Sequence, residues 1–429
     1  MGARERVIIK KGLFMKYLLK NAKIYENGAM HTKDMLLDGA ELFAFSSSIS
    51  TDIEIIENCV IFPGFCDVHV HLREPGFSYK ETMETGTLAA AHGGYTAVFA
   101  MPNLNPTPDS KKNLQKELDA IARGAKIKVY PYGTISVGEK GEELSDLEGI
   151  AENVIAFSDD GRGVQSEAMM LGAMERAKKL GKIIVAHCED NSLLHGGYIH
   201  DGEYAKSHGH KGISSASEYV PIERDIELLK KCGASYHVCH VSAKESVEAI
   251  RRAKAMGVDI TAETAPHYLT LDDSCLKEDG RFKMNPPIRS KEDKEALIAG
   301  ILDGTLDMIA TDHAPHSKEE KSKGLQGSLM GVVGIETAFP VLYTYLVKTG
   351  IIPIEVIAKC LIDNPRERFG LPKESGFTVF KLDECYKVNP EEFLSMGRAT
   401  PYEGCELYSK CLITALDGKA VYKDNKILR

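Results

Sequence analysis

Phe62-Pro-Gly-Phe-Cys-Asp-Val-His-Val-His-Leu-Arg-Glu-Pro-Gly76 is the stretch on which the reading of this chain turns. Cys66, Val68, Val70 and Leu72 alternate with Asp67, His69, His71 and Arg73, which is the side-chain period of a strand running into a loop. His69 and His71 therefore leave one face side by side, as a chelating pair would, and Arg73 follows on that side where the strand ends. Taken alone, a His-x-His pair is equally well a strand showing two polar residues to water. The remainder of the chain bears on which it is.

Outward from this stretch, the two ends of the chain share one texture. Residues 15–62 read as short strands at 17–25, 34–37 and 53–56, with a turn at Glu26-Asn-Gly28. Residues 376–429 read the same way, with strands at 376–382, 411–415 and 419–422 and a turn at Asp417-Gly418. The ends are expected to pair into one small β-sandwich domain. Residues 1–14 precede the pattern, are basic and lack the apolar core of a signal peptide, so they read as an N-terminal extension or a remnant.

Between them, residues 63–375 alternate strands and helices. Candidate strands lie at 64–71, 96–101, 126–132, 154–159, 182–186, 235–241, 259–263 and 307–310. Ile222, Ile226 and Leu229 mark a helix over 221–231 that Gly233 stops, and Ser290 to Asp293 resembles a capping box. Eight such units over about 300 residues are the count of a TIM-type (β/α)8 barrel. A doubly wound sheet would want a glycine-rich phosphate fingerprint after an early strand, and none is present.

The formal charge is −9 and no block of Lys or Arg stands out, so neither nucleic acid nor an anionic membrane surface is an expected partner. An anionic substrate would need a local cation. No apolar run approaches ~18 residues, so no membrane span is expected. The ten cysteines include no Cys-x-x-Cys and fall partly in apolar runs, which suggests buried reduced thiols and a cytoplasmic location.

In a barrel of this kind the chemistry sits at the C-terminal ends of the strands. Those ends carry His69 and His71, Asp159-Asp160, His187, His240 and Asp312. Each has a plain alternative: Asp-Asp-Gly161 is also a turn, and His187 also a strand cap. His237 reads as a packing or surface residue, and His92, His195, His200, His208 and His210 as solvated or loop residues. Together, four histidines and two aspartates are what Zn²⁺ takes, and six ligands exceed one tetrahedral ion. Two ions sharing a carboxylate would use all six.

His69-Val-His-Leu-Arg-Glu-Pro-Gly76, Ala100-Met-Pro-Asn103, Phe157-Ser-Asp-Asp-Gly161, Val238-Cys-His-Val-Ser242, Glu263-Thr-Ala-Pro-His267, Met284-Asn-Pro-Pro287 and Thr311-Asp-His-Ala-Pro-His316 resemble the bacterial class I dihydroorotases, which are metal-dependent cyclic amidohydrolases. The resemblance implies two Zn²⁺ per subunit. It gives one ion to His69, His71 and Asp312 and the other to His187 and His240, with Asp160 bridging on the strength of its 27-residue offset from His187. It implies the reversible closure of N-carbamoyl-L-aspartate to L-dihydroorotate in pyrimidine synthesis, and it admits a homodimer and an association with aspartate transcarbamoylase. Relatives acting on hydantoin, dihydropyrimidines or allantoin usually bridge with a carboxylated lysine, and residues 154–160 contain no lysine.

In the chemistry these parts support, Asp312 takes a proton from the attacking oxygen nucleophile and passes it to the leaving ring nitrogen. Arg73 offers a planar fork for the carboxylate that sets dihydroorotate apart, Asn103 can add an amide donor, and Asn285 can meet the ring edge. The resemblance adds His316 to that pocket. A surface ion pair of Arg73 with Glu74 or Glu81 is the alternative. Residues 317–330 are polar and glycine-containing and read as a loop over the mouth, either a lid or an ordinary surface loop. Two other functions remain open at this point: an allantoinase- or hydantoinase-type enzyme, and an inactive scaffold for aspartate transcarbamoylase.

Overall fold

The computed structural model describes residues 16–45, 53–373 and 376–428, so the extension read at 1–14 lies outside it. Strand β1 (Lys16–Glu26) turns back through Asn27 and Gly28, both at positive φ as a tight hairpin requires, into β2 (Ala29–Asp38). β3 (Glu41–Ala44) pairs antiparallel with β2, while β4 (Ile53–Ile56) and β5 (Cys59–Pro63) run parallel to the other edge of β1. Alternation along β5 splits its side chains between two cores. Cys59 and Ile61 join Leu19, Ile24, Val379 and Ile413 inside the terminal sheet, whereas Val60 and Phe62 join the main core with Phe65 and Phe339.

Gly64 then hands the chain to β6 (Phe65–Val70), which pairs in parallel with β7 (Tyr95–Ala100), and that in turn with β8 (Lys128–Pro131). A second parallel set holds β9 (Ile184–Ala186). After an excursion through the short pair β10 (Ile199–His200) and β11 (Gly212–Ile213), it continues with β12 (Tyr236–Val238), β13 (Ile260–Thr264) and β14 (Met308–Ile309). Single bridges join the two sets at both ends: Gly133 to Phe157 to Ile184 on one side, Val70 to His313 on the other. The parallel pairings thus run in a closed circuit. β15 (Phe377–Lys387), β16 (Glu406–Leu416) and β17 (Lys419–Lys423) return to the first sheet, β15 lying antiparallel to β5.

The helices between these strands follow from spacing and caps. Glu167–Lys179 buries Met170, Ala173, Met174 and Ala177, one stripe at i, i+3, i+4 and i+7. Ala216–Cys232 buries Ile222, Ile226 and Leu229 and ends at Gly233, whose φ of 61° suits the left-handed cap. The Ser290–Asp293 capping box forms and starts Lys291–Asp303.

The expected strand at 154–159 is the clearest departure. Ala151–Asn153 is a 3₁₀ turn, and Phe157 alone forms ladder bridges. The segment still occupies a strand's place, since Ile155 N–H donates to Pro131 and Phe157 N–H to Ile183. Regular pairing stops because Asp159 folds its carboxylate back onto the backbone of Ile135 and Ser136. Residues 317–330 depart in another way, containing the short helices Lys318–Lys321 and Gly324–Gly327. Lys321 is buried there, donating to the carbonyls of Lys283 at 3.0 Å and Leu329 at 2.8 Å.

Candidate metal centre

Six of the residues singled out in the sequence meet at the C-terminal rim of the parallel circuit. His69 in β6 and His71, one residue past its end, stand side by side with ring centroids 5.4 Å apart. His69 Nε2 lies 3.4 Å from Asp160 Oδ1 and 3.5 Å from Asp312 Oδ1. His71 Nε2 lies 3.5 Å from Asp160 Oδ2 and 3.1 Å from Asp312 Oδ1. On the far side of Asp160, His187 Nδ1 and His240 Nε2 stand 3.7 Å and 3.6 Å from Oδ1, and 2.9 Å from each other. His69, His71 and Asp160 form one group able to hold a metal ion, and Asp160, His187 and His240 form a second. One carboxylate belongs to both.

Two observations test whether these atoms fit a cation. His69 Nε2 and Asp160 Oδ1 are buried and face each other, yet neither finds a hydrogen-bond partner. An orphaned pair of this kind is costly unless something satisfies it. The second is the way the rings are held from behind. Glu263 Oε1 takes the Nδ1 proton of His69 at 2.6 Å, and Asn103 Oδ1 that of His71 at 2.9 Å, so both Nε2 lone pairs point inward. Glu189 lies 3.5 Å behind His187 Nε2, which leaves Nδ1 on the inner side. The donor set and its supports suit a divalent cation such as zinc.

The charges agree. Burial pushes the Asp160 carboxyl up, but His69 and its neighbours outweigh this and hold it well below the usual carboxylate range. Burial also pushes Asp312 up, and His69 and His71 outweigh it and hold it below that range. Burial depresses His69, yet Asp160 and Glu263 carry it well above the ordinary imidazole range. At His71 burial prevails and holds the ring below that range, while the ionised Asp160 and Asp312 carry the negative charge that attracts a divalent cation. Three residues here are also strained in the backbone: Arg73, His240 and Asp312 hold φ values of 61°, 34° and 46°, a region non-glycine residues seldom enter.

A cavity of about 200 Å³ opens in front of the cluster and is lined by Arg73, Asn103, Asn285 and His316 as well as by the ligand-type residues. Arg73 is buried; its Nε donates to the Pro315 carbonyl at 3.2 Å. Burial draws its guanidinium down to about 10, so it stays charged at neutral pH. Asn285 Nδ2 donates to Glu189 at 2.8 Å, while its Oδ1 is buried without a partner. Asp159 does not join the cluster, because its carboxylate is spent on the amides of Ile135 and Ser136 and on the Ser136 hydroxyl.

Other histidines fall differently. His237 takes the packing alternative: it is fully buried, bound to Thr261 at 2.9 Å and to Glu263 at 3.1 Å, so it buttresses the support of His69. His200, read as solvated, is buried in β10 beside Arg289. The sequence reading also passed over Glu263, Asp67, Glu189 and Lys80. Asp67 shares the parity of His69 and His71, and it accepts from the backbone and hydroxyl of Thr311, next to Asp312. All ten cysteines are unpaired, and among the described residues no helix is long and apolar enough to cross a membrane.

Residues 58–246 match the family described as Dihydro-orotase-like. The chain is 49% identical to a dihydroorotase of Fusobacterium nucleatum over 95% of its own length and 99% of that protein's. It is 45% identical to a dihydroorotase of Bacillus cytotoxicus over 96% of its length and the whole of that protein. Among solved structures, it superposes on an L-hydantoinase of Arthrobacter aurescens with a TM-score of 0.80 at 22% identity, covering 96% of each chain. For a D-hydantoinase of a Thermus species the TM-score is 0.78 at 23% identity, covering 95% of each.

Proposed function

The chain belongs to the dihydroorotase family, and from that premise we propose that it interconverts N-carbamoyl-L-aspartate and L-dihydroorotate in pyrimidine biosynthesis with two Zn²⁺ per subunit. The closed strand circuit is read as a (β/α)8 barrel and the terminal sheet as its β-sandwich companion. In this reading His69, His71 and Asp312 hold one ion, His187 and His240 the other, and Asp160 both. Bound there, zinc would acidify water toward neutral pH and polarise the ring carbonyl.

The protein's own groups do the rest. Asp312 takes a proton from the attacking water and delivers it to the ring nitrogen as the C–N bond breaks; closure runs these transfers backwards. Arg73 meets the substrate carboxylate with the end of its fork, its Nε being held by Pro315. Asn103 spends its oxygen on His71, which frees its NH₂ to donate to the same carboxylate. Asn285 Oδ1, its amide NH₂ tied to Glu189, accepts from a ring N–H. His316 closes the carboxylate pocket.

The observation that carries this reading is Asp160, set between two histidine pairs with an unpartnered oxygen. It stands where relatives acting on hydantoin or allantoin would want a lysine, and residues 154–160 have none. The scaffold reading is weakened because every ligand position is filled. Arg73→Ala should raise KM for dihydroorotate by about tenfold to a hundredfold while metal content holds, since it removes charge-assisted hydrogen bonds. Unchanged kinetics would take Arg73 out of the site, and turnover of hydantoin or allantoin in place of dihydroorotate would overturn the substrate.

A further inference from the structure

Lys80 belongs to no ligand set, yet it is buried at the edge of the site. Its Nζ lies 3.2 Å from His316 Nδ1 and 3.1 Å from Glu320 Oε1, above the rings of Phe77 and Tyr79. An ammonium has only protons to offer, so at this contact Nδ1 must be the acceptor. The opposite side of the ring points to the same tautomer. His316 Nε2 lies 2.7 Å from the Met330 carbonyl, which can only accept, so the proton sits on Nε2. Arg73 Nη2 is 3.5 Å from that nitrogen, a distance at which it makes no strong bond.

The alternatives are each opposed. Protonation at Nδ1 would set an N–H against the Lys80 ammonium and a lone pair against the Met330 carbonyl. Glu320 Oε2, 3.4 Å from Nδ1, is the acceptor that would favour it, but that oxygen takes the Ser317 N–H at 3.0 Å. Its partner oxygen takes Lys80 and the Tyr79 hydroxyl. The doubly protonated ring is disfavoured by burial and then by the charges of Arg73, Lys80 and Lys321.

We propose that Lys80 is a positioning residue of the carboxylate pocket, fixing His316 as the neutral ring protonated at Nε2, so that its one donor faces the cavity beside Arg73. This rests on the reading of Arg73 and His316 as the substrate-carboxylate pocket. The consequence is chemical: a neutral donor can turn from the Met330 carbonyl to a substrate carboxylate. The other tautomer would present a lone pair and repel it.

The test compares wild type, Lys80→Met and Lys80→Gln by steady-state kinetics with L-dihydroorotate and by ¹⁵N spectra of the histidine rings, the His316 signals being assigned by their loss in His316→Asn. Lys80→Met removes the donor and should raise KM about tenfold with kcat within about twofold, while the His316 ring becomes a mixture of tautomers. Lys80→Gln restores a neutral donor and should bring back both KM and the Nε2–H tautomer. An unchanged KM in Lys80→Met, or equal impairment of both variants with the His316 spectrum unmoved, overturns the proposal. Wild type inert toward dihydroorotate would instead fail the functional reading, and the tautomer shift would still report on Lys80.

Discussion

Asp159 and Asp160 are the same side chain one position apart, and their surroundings assign them opposite work. Asp159 is consumed by backbone amides, whereas Asp160 turns an unpartnered Oδ1 to His69, His187 and His240 and its Oδ2 to His71. Asp160→Asn should therefore lower zinc to one ion or fewer and cut turnover by more than about a hundredfold, by metal analysis and assay. Asp159→Asn should retain metal and lose about 1–3 kcal/mol of stability in denaturant. Glu263→Gln weakens the carboxylate behind His69 and should reduce metal affinity by about ten- to a hundredfold in a chelator competition. Two further buried histidines set a pH dependence. Burial holds both His200 and His267 down to about 4. The unfolded chain takes up those protons below about 6.5 while the folded one refuses them, so each removes up to about 1.4 kcal/mol per pH unit as pH falls from 6.5 toward 4. His200→Asn should flatten that acid arm of the melting-temperature curve.

The elements were legible where periodicity and caps agreed. The strand at Phe65–Val70 and the capping box at Ser290 stand where the pattern puts them, and Gly233 closes its helix as expected, although that helix begins at Ala216, ahead of Pro221. The segment at 154–159 was not, because its apolar pattern is that of a strand while Asp159 satisfies a neighbouring loop in place of a ladder. The candidate residues that the structure gathers at the strand ends could be read from sequence since they are few and chemically distinctive. Glu263, His237 and Lys80 could not, because their role is to hold another side chain, and that needs distances. The junction of the two sheets makes its own prediction. A Cβ on Gly64 would fall 2.1 Å from Thr96 Oγ1, between β5 and β6. Gly64→Ala should cost about 1–3 kcal/mol by overpacking and lower the melting temperature by several degrees while leaving the metal ligands intact.

At the scale of the molecule, the parallel circuit brings residues 69 and 312 of one chain to within 3.5 Å, and the terminal sheet, sharing Phe62 and Phe380 with the main core, braces the strand that carries His69 and leads into His71. In the proposed reading, divalent metal is the component that turns this cluster of imidazoles and carboxylates into a working centre. The measurement closest to that claim is a titration of zinc into chelated protein, followed by L-dihydroorotate turnover at each addition. No turnover without metal, and a rise that ends at about two equivalents per chain, is the expected result. Full turnover by the chelated protein, or none at any zinc level while hydantoin or allantoin is consumed, would contradict it.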